Sequence, residues 1–258
     1  MKAFYTIMEK DNETDCPLFF EERYIKKNPL AELQPTESMK EGIYFEYLCT
    51  GQLPRNKIIP VPETTTKGEL KEPYKRIKIA AEFFKEIMNY HKIEIVNIGS
   101  VLQNNKANGI IDIEANWNNK KCIIDLKYSG LIDNMWDKIG WDTGSLPQKD
   151  GLMIQGVHYK MLAHDCWGIE DIDFYYFVFN SKDPKDVKII KQEIADINVI
   201  EKHRMDVDKV ISSIETILSK GGFRPIKDYR VCKNCPLFDT CEKATRMPKP
   251  IKITYSNY

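Results

Sequence analysis

Charge of one sign is missing from this sequence: lysine plus arginine number 38 and aspartate plus glutamate number 38, so the 258 residues carry no formal net charge. A chain-wide basic field of the kind that gathers nucleic acid is therefore excluded, and any such affinity has to come from local patches. Candidates are Lys71, Lys75, Arg76 and Lys78 on one segment and Arg246, Lys249 and Lys252 near the C-terminus, although such clusters are also an ordinary way to solvate a surface. No apolar run approaches the length of a membrane span, and the N-terminus lacks the apolar core of a signal peptide. A soluble, cytoplasmic protein is expected. Internal repeats and low-complexity segments are absent as well, which excludes solenoid and collagen-like architectures.

What is present is concentrated between Gly109 and Gly130, in the run GIIDIEANWNNKKCIIDLKYSG. It reads as a two-stranded hairpin. Alternation along a strand puts residues two apart on one face. Ile123, Asp125 and Lys127 thus share one face, and Cys122, Ile124 and Leu126 share the other, apolar one. On the preceding strand the same rule groups Ile110, Asp112 and Glu114 against Ile111, Ile113 and Ala115, with 116–120 as the turn. Carboxylates and a lysine converge on one side of the hairpin, while the opposite side is fit for a core.

That convergence suits phosphodiester hydrolysis. Hard carboxylate oxygens hold Mg²⁺ or Mn²⁺, and such a metal both activates a water and offsets charge developing on phosphate. Asp112 and Asp125 are the expected metal ligands, with the Leu126 carbonyl as an added oxygen, and Lys127 is expected to orient the water or stabilise the transition state. A lone DxK triplet also occurs by accident in solvated hairpins, so the neighbouring motifs decide between the readings.

Those neighbours resemble the PD-(D/E)XK nucleases, and within them the RecB-like exonuclease branch that includes the CRISPR-associated and AddB-type iron-sulfur nucleases. Gly109-Ile-Ile-Asp112 looks like the second motif of that family, and Asp125-Leu-Lys127 followed by Gly130 looks like the third. Gln155-Gly-Val-His-Tyr159 fits the QxxxY motif of the RecB-like branch. Residues four apart lie one turn apart on the same helix face. The resemblance implies that Gln155 supports catalysis and that Tyr159 meets DNA. Gly42-Ile-Tyr-Phe-Glu46 resembles a looser first motif, with Glu46 where many members carry histidine, and this implies a further carboxylate ligand.

Seven cysteines are present. Cys49, Cys122 and Cys166 sit in apolar or mixed surroundings and read as buried thiols. Cys16 near the N-terminus and Cys232, Cys235 and Cys241 near the C-terminus resemble the four-ligand arrangement of the iron-sulfur nucleases, with Pro17 and Pro236 each following a cysteine. Four thiolates hold either a 4Fe-4S cluster or a tetrahedral zinc, and spacing does not choose; the resemblance favours the cluster. A disulfide framework does not suit a chain without a secretory signal. Residue 16 and residues 225–245 would then form a clip joining the two chain ends and closing a long loop.

At this length the chain can bury one sizeable core with a small appended module, and a single nuclease domain over 1–258 is expected. Ile77, Ala81, Phe84 and Met88 predict a helix over about 74–92, followed by a strand at 93–98. Further helices are expected at 151–164 and 205–220, the latter stopped by Gly221-Gly222, and further strands at 172–179 and 187–194. This order predicts an α/β fold, and the resemblance implies a restriction-endonuclease-like core whose mixed central sheet is flanked by helices. The connection after Leu131 holds Trp136 and Trp141, read as a packed loop with base stacking as the alternative. His158 and His164 fall on the QxxxY helix and read as surface or core residues, and His91 and His203 carry no signal.

The expectation is a Mg²⁺- or Mn²⁺-dependent deoxyribonuclease acting at DNA ends in recombination, repair or DNA processing. The alternative is a catalytically silent DNA-binding or assembly subunit with the same fold, against which the retention of Asp112, Asp125 and Lys127 speaks. There is no helicase motif, so unwinding would require a helicase or recombination partner, and the resemblance admits a ring-shaped oligomer. Strand preference, polarity and pathway are not written in the sequence.

Overall fold

The computed structural model describes residues 16–54, 58–133, 141, 150–194, 198–226 and 228–247. Trp136, Lys249 and Lys252 lie outside the described residues. In chain order the elements are α1 (Pro17–Phe20), α2 (Glu37–Thr50), α3 (Glu72–Tyr90), β1 (Glu94–Ile98), β2 (Val101–Gln103), β3 (Asn108–Ile110), β4 (Ile113–Trp117) and β5 (Lys120–Ser129). They continue with α4 (Asp150–Trp167), β6 (Asp173–Asn180), β7 (Val187–Gln192), α5 (Asn198–Ser219) and α6 (Tyr229–Cys232). Two compact units result, Pro35–Val207 and Met1–Gln34 with Asp208–Tyr258. No helix among the described residues is long and apolar enough to cross a membrane.

The larger unit is built on a five-stranded sheet in the order β1-β4-β5-β6-β7. Only β5 and β6 run parallel, so the sheet is mixed. A parallel pair cannot be joined by a tight turn and needs a crossover, which here contains α4. The alternation read from the sequence of β5 holds. Cys122, Ile124 and Leu126 join Ile113, Phe177 and Phe179 in a core beneath α2 and α3, to which α3 contributes Ile77, Ala81, Phe84 and Met88. Ile123 faces the other way, into a second core with Phe174, Tyr176, Met161 and Leu162. Trp141 is buried in this second core with its ring 5.3 Å from Tyr176, as a packed loop requires.

The Asp112 strand departs from the simple hairpin. The two-residue turn between β4 and β5 is Asn118-Asn119, both with positive φ, which suits a tight hairpin. Only β4, starting at Ile113, pairs with β5, whereas β3 pairs with β2 in a separate two-stranded sheet. Together β1-β2 and β3-β4 form one long hairpin bent in the middle. At the bend Gly99 N–H donates to the Asp112 carbonyl (3.0 Å) and Ile111 N–H donates to the Ser100 carbonyl (3.0 Å). Asp112 therefore lies in the bend rather than in a strand.

In the smaller unit, α1 runs on into a wider helical turn, Glu21–Ile25. Phe20 packs its ring 5.5 Å from that of Phe223. The buried Glu21 carboxylate accepts the Phe223 N–H (2.7 Å) and pairs with Lys26 (3.0 Å). Glycine is needed at 222, where φ is +88° and an added Cβ would stand 2.7 Å from Glu21 Oε2. The chain stops its helix here as expected, Gly222 N–H donating to the Ile217 carbonyl (3.1 Å).

Candidate active site

β5 supplies Asp125 and Lys127, two residues apart and therefore on one face, the face that α4 covers. Continuing the β4-β5 register, in which Ile113 opposes Ile124, would set Asp112 opposite Asp125. The bend takes Asp112 out of the ladder, and its carboxylate fills the gap: Oδ2 accepts the Leu126 N–H at 2.8 Å. A side chain thus replaces the backbone partner that Leu126 would have had on a continuous strand. Leu126's own side chain lies in the first core.

Asp125 is almost wholly buried and held from two sides. Its Oδ1 accepts from Gln155 Nε2 on α4 (2.5 Å), and its Oδ2 pairs with Lys127 Nζ. One helical turn on, the Tyr159 hydroxyl donates to the Ile110 carbonyl at 2.7 Å. The ring can lie there because position 109 is glycine: a Cβ would come 2.5 Å from Tyr159 Cε1. The Gly109 and QxxxY motifs are two halves of one contact.

The electrostatics follow from burial. Burial first, and the Asp125 charge next, hold the Asp112 carboxyl well above the ordinary carboxylate range, with Glu46 adding in the same direction. For Lys127 burial pulls downward, but the charges of Asp125 and Asp112 outweigh it and the net shift is upward. Burial and the same two aspartates push Tyr159 up to about 12. Glu46, on α2, stands near enough to act on Asp112, yet no three His, Cys, Asp or Glu side chains among the described residues form a group able to hold a metal ion. The structure therefore brings together Asp112, Asp125, Lys127, Gln155 and Tyr159, with Glu46 at a remove.

The donor set nevertheless fits a hard divalent cation. Two carboxylates face a single ammonium, and burial first, with the Asp125 charge second, makes a charge on Asp112 costly, a cost that a bound cation would offset. Mg²⁺ is characteristically bound by one or two carboxylates with waters and substrate phosphate completing its shell.

Sequence reading missed two features on this side of the sheet. His158, next to Tyr159, is buried; its Nε2 lies 3.2 Å from the Asn108 carbonyl and its Nδ1 lies 3.2 Å from His203 Nε2. A carbonyl only accepts, so Nε2 carries the proton, Nδ1 accepts, and His203 Nε2 donates. Burial first, and the neighbouring His203, hold His158 down at about 4 despite the bond to Asn108. Glu114 is the second feature, a buried carboxylate paired with Lys121 Nζ at 2.6 Å; Lys121 Nζ also sits 4.0 Å from the Trp167 ring centroid. The histidine pair spans 45 residues and has no local signature, while Glu114, grouped with Asp112 by alternation, finds its partner across the β4-β5 turn.

All four cysteines singled out above belong to the smaller unit. Burial first, then the thiols of Cys16, Cys241 and Cys232, push Cys235 up, against a backbone hydrogen bond from Leu237. The Ile226 N–H donates to Cys16 Sγ (3.4 Å), Cys232 Sγ donates to the Ile226 carbonyl (3.7 Å) and the Thr245 N–H donates to Cys232 Sγ (3.4 Å). The sequence Cys-Pro-Leu-Phe occurs at both 16–19 and 235–238, and both copies close the same turn, Phe N–H to Cys carbonyl at 2.9 Å. Of the remaining cysteines, Cys49 and Cys122 are buried, but Cys166 is exposed near the end of α4, where the helix face turns outward, with Sγ donating to the Gln103 carbonyl (3.3 Å).

No model of a known protein family matches the sequence, and no curated protein matches it. Among solved structures, the chain is similar to a crystal structure from Eubacterium rectale named as an exonuclease by inference only, at a TM-score of 0.62 and 19% identity, covering 96% of this chain and 90% of that one. A second match, SSO0001, has a TM-score of 0.30 and 15% identity over 64% of this chain and 67% of the other, too low to carry an argument. The likeness to the first extends over nearly the whole chain, and with the mixed five-stranded sheet and its flanking helices it shows that the two share an α/β fold.

Proposed function

We propose that this protein is a metal-dependent deoxyribonuclease of the RecB-like PD-(D/E)XK kind that digests DNA from its ends. The observation that carries the reading is the joint fixing of Asp112, Asp125 and Lys127: the first on the Leu126 N–H, the second between Gln155 and Lys127. A solvated hairpin has no reason to gather two carboxylates and a lysine, to bury one of the carboxylates and to hold it with a helix glutamine. The E. rectale protein's name points the same way.

Asp112 and Asp125, with the Leu126 carbonyl, would hold Mg²⁺ or Mn²⁺, which when bound supplies an activated water and offsets charge on the phosphate. Gln155 and Lys127 grip opposite oxygens of Asp125 and so fix the plane of its carboxylate. Lys127, with its charge retained by both aspartates, places a positive group beside the reacting phosphate. Glu46 contributes field at Asp112 and is the further carboxylate offered to the metal. Tyr159, whose hydroxyl is bound to Ile110, would meet DNA through its ring.

A 4Fe-4S cluster on Cys16, Cys232, Cys235 and Cys241 belongs to the same proposal, with zinc as the alternative occupant. Its support is that the thiols of Cys16, Cys241 and Cys232 act on Cys235 and that backbone N–H groups are aimed at two of the sulfurs, while the described side chains do not themselves form a metal-holding group. Hydrogen bonds to sulfur are a known means of tuning such centres.

The test compares protein purified without oxygen with its Lys127→Ala variant on end-labelled single- and double-stranded DNA, with Mg²⁺, Mn²⁺ or chelator. Metal-dependent shortening from the ends, lost in the variant, is the expected result. Binding without cleavage by both proteins would replace the reading with that of a silent DNA-binding subunit.

A further inference from the structure

The bend that carries Asp112 is held by a residue outside every motif above. Glu114 stands two residues after Asp112, opposite Ile123 in the β4-β5 ladder, and is 4% exposed. Its Oε2 accepts from Asn97 Nδ2 (2.9 Å) and from Ser100 Oγ (3.3 Å), and its Oε1 pairs with Lys121 Nζ (2.6 Å). Asn97 and Ser100 bracket the bend on the β1-β2 side, where the β1-β4 register slips between Ile95 and Asn97. Ser100 and Gly99 are also the residues whose backbones grip Ile111 and Asp112. The hydrogen bonds that Gly99 and Ser100 make to Asp112 and Ile111 therefore come from a segment that Glu114 ties to the sheet.

We infer that Glu114 is a positioning residue for Asp112: by anchoring Asn97 and Ser100 to β4 it fixes where the bent hairpin presents the Asp112 carboxylate. Lys121 has a different part. It balances the Glu114 charge from β5 and braces it against Trp167, so the carboxylate can stay buried and still accept both bend bonds. Ile123, fully buried, separates this acid-lysine pair from the Asp125-Lys127 pair on the same strand face. One pair is built for geometry and the other for chemistry. This inference rests on the nuclease reading, because it concerns the delivery of a metal ligand.

The experiment measures Mn²⁺ binding to the DNA-free protein by calorimetry, alongside thermal unfolding and DNA cleavage. Glu114→Ala is expected to weaken Mn²⁺ binding by about 10- to 100-fold, as loss of the residues behind metal ligands does. Asn97→Ala, at an exposed strand position that tolerates truncation, removes one bend bond and is expected to weaken binding roughly three- to tenfold with an unchanged unfolding midpoint. Glu114→Gln combined with Lys121→Met keeps an oxygen facing Asn97 and Ser100 without an ammonium facing the new amide, and is expected to restore binding to within about threefold of wild type. A wild-type protein that binds Mn²⁺ and cuts DNA, with Asn97→Ala and Glu114→Ala binding as tightly, overturns the inference alone. A wild-type protein that neither binds Mn²⁺ nor cuts DNA refutes the nuclease reading and the inference with it.

Discussion

Asp112→Asn is expected to make the metal-free protein more stable while removing its activity. In the folded state two carboxylates share a site with one ammonium, and burial first, with the Asp125 charge second, makes a charge on Asp112 costly and raises its carboxyl. Asparagine removes that charge but keeps an oxygen for the Leu126 N–H, so the 2.8 Å bond survives. Relief of a functional-site conflict of this kind is worth about 0.5–2 kcal/mol. At about 2–4 °C per kcal/mol for a domain of this size, the unfolding midpoint should rise by roughly 1–8 °C. Asp112→Ala removes the same charge but leaves the Leu126 N–H without its acceptor, costing about 1–3 kcal/mol, so its midpoint should be no higher than wild type. The sign with pH is fixed by the upward shift. Below the unfolded carboxylate value, about 3.9, the group is protonated in both states; as pH rises the unfolded chain releases its proton first and wild-type stability is progressively lost. The advantage of Asp112→Asn should therefore be small near about pH 4 and larger near neutrality. Calorimetric scans in chelator at the two pH values check this. Added Mn²⁺ should raise the wild-type midpoint and leave that of the variant in place. An Asp112→Asn protein less stable than wild type in chelator at neutral pH, or an advantage independent of pH, would refute the reasoning.

Gln155→Ala should lower the cleavage rate by about 10- to 100-fold at saturating metal with an unchanged fold, since it frees one oxygen of Asp125; a single-turnover rate equal to wild type would sink the role given to Gln155. The fold should lose stability as pH falls from about 6.5, the ordinary histidine value, toward 4, because His158 is held at about 4 and the unfolded chain takes up the proton first. The loss from this residue is roughly 3 kcal/mol, read as the difference between wild type and His158→Gln in urea unfolding at the two ends of that window, and parallel pH profiles would contradict it. Cys235→Ala should lose visible cluster absorption and protein-bound iron, lower the unfolding midpoint and weaken DNA binding, while leaving a cleavage rate per bound DNA close to wild type; a stable, fully active variant would exclude a structural cluster.

The parts of the fold legible in the sequence are those whose signal is local. The helical spacing of Ile77, Ala81, Phe84 and Met88 marks α3, and all four are buried where the spacing puts them. The alternation of Cys122 to Lys127 separates the core face of β5 from the site face, and the aromatic run 174–179 marks β6. Strands of three residues, β2 and β3, are too short to show a period, so the bend escaped and Asp112 read as a strand residue. α5 begins seven residues before the expected Met205, at Asn198, because Ile200 and His203 extend its buried stripe backward. The His158-His203 pair spans 45 residues, and Glu114 reaches back 17 to Asn97 and 14 to Ser100; no window of sequence contains such contacts. Cys166 shows the converse error, since apolar neighbours alone do not place a side chain inside.

The absent Cβ of Gly109 has a consequence for how this protein can change. Because the space it leaves is filled by the ring of Tyr159, 50 positions later, neither residue is free to vary alone. Alanine at 109 would displace the ring and with it the hydroxyl on Ile110, while a small residue at 159 would leave a hollow over the hairpin. A chain exploring substitutions here would have to exchange both at once, filling at 109 what it vacates at 159, and even then it would surrender the hydrogen bond that ties the crossover helix to the strand leading into Asp112. Motifs separated by two strands of the hairpin are in this sense a single character.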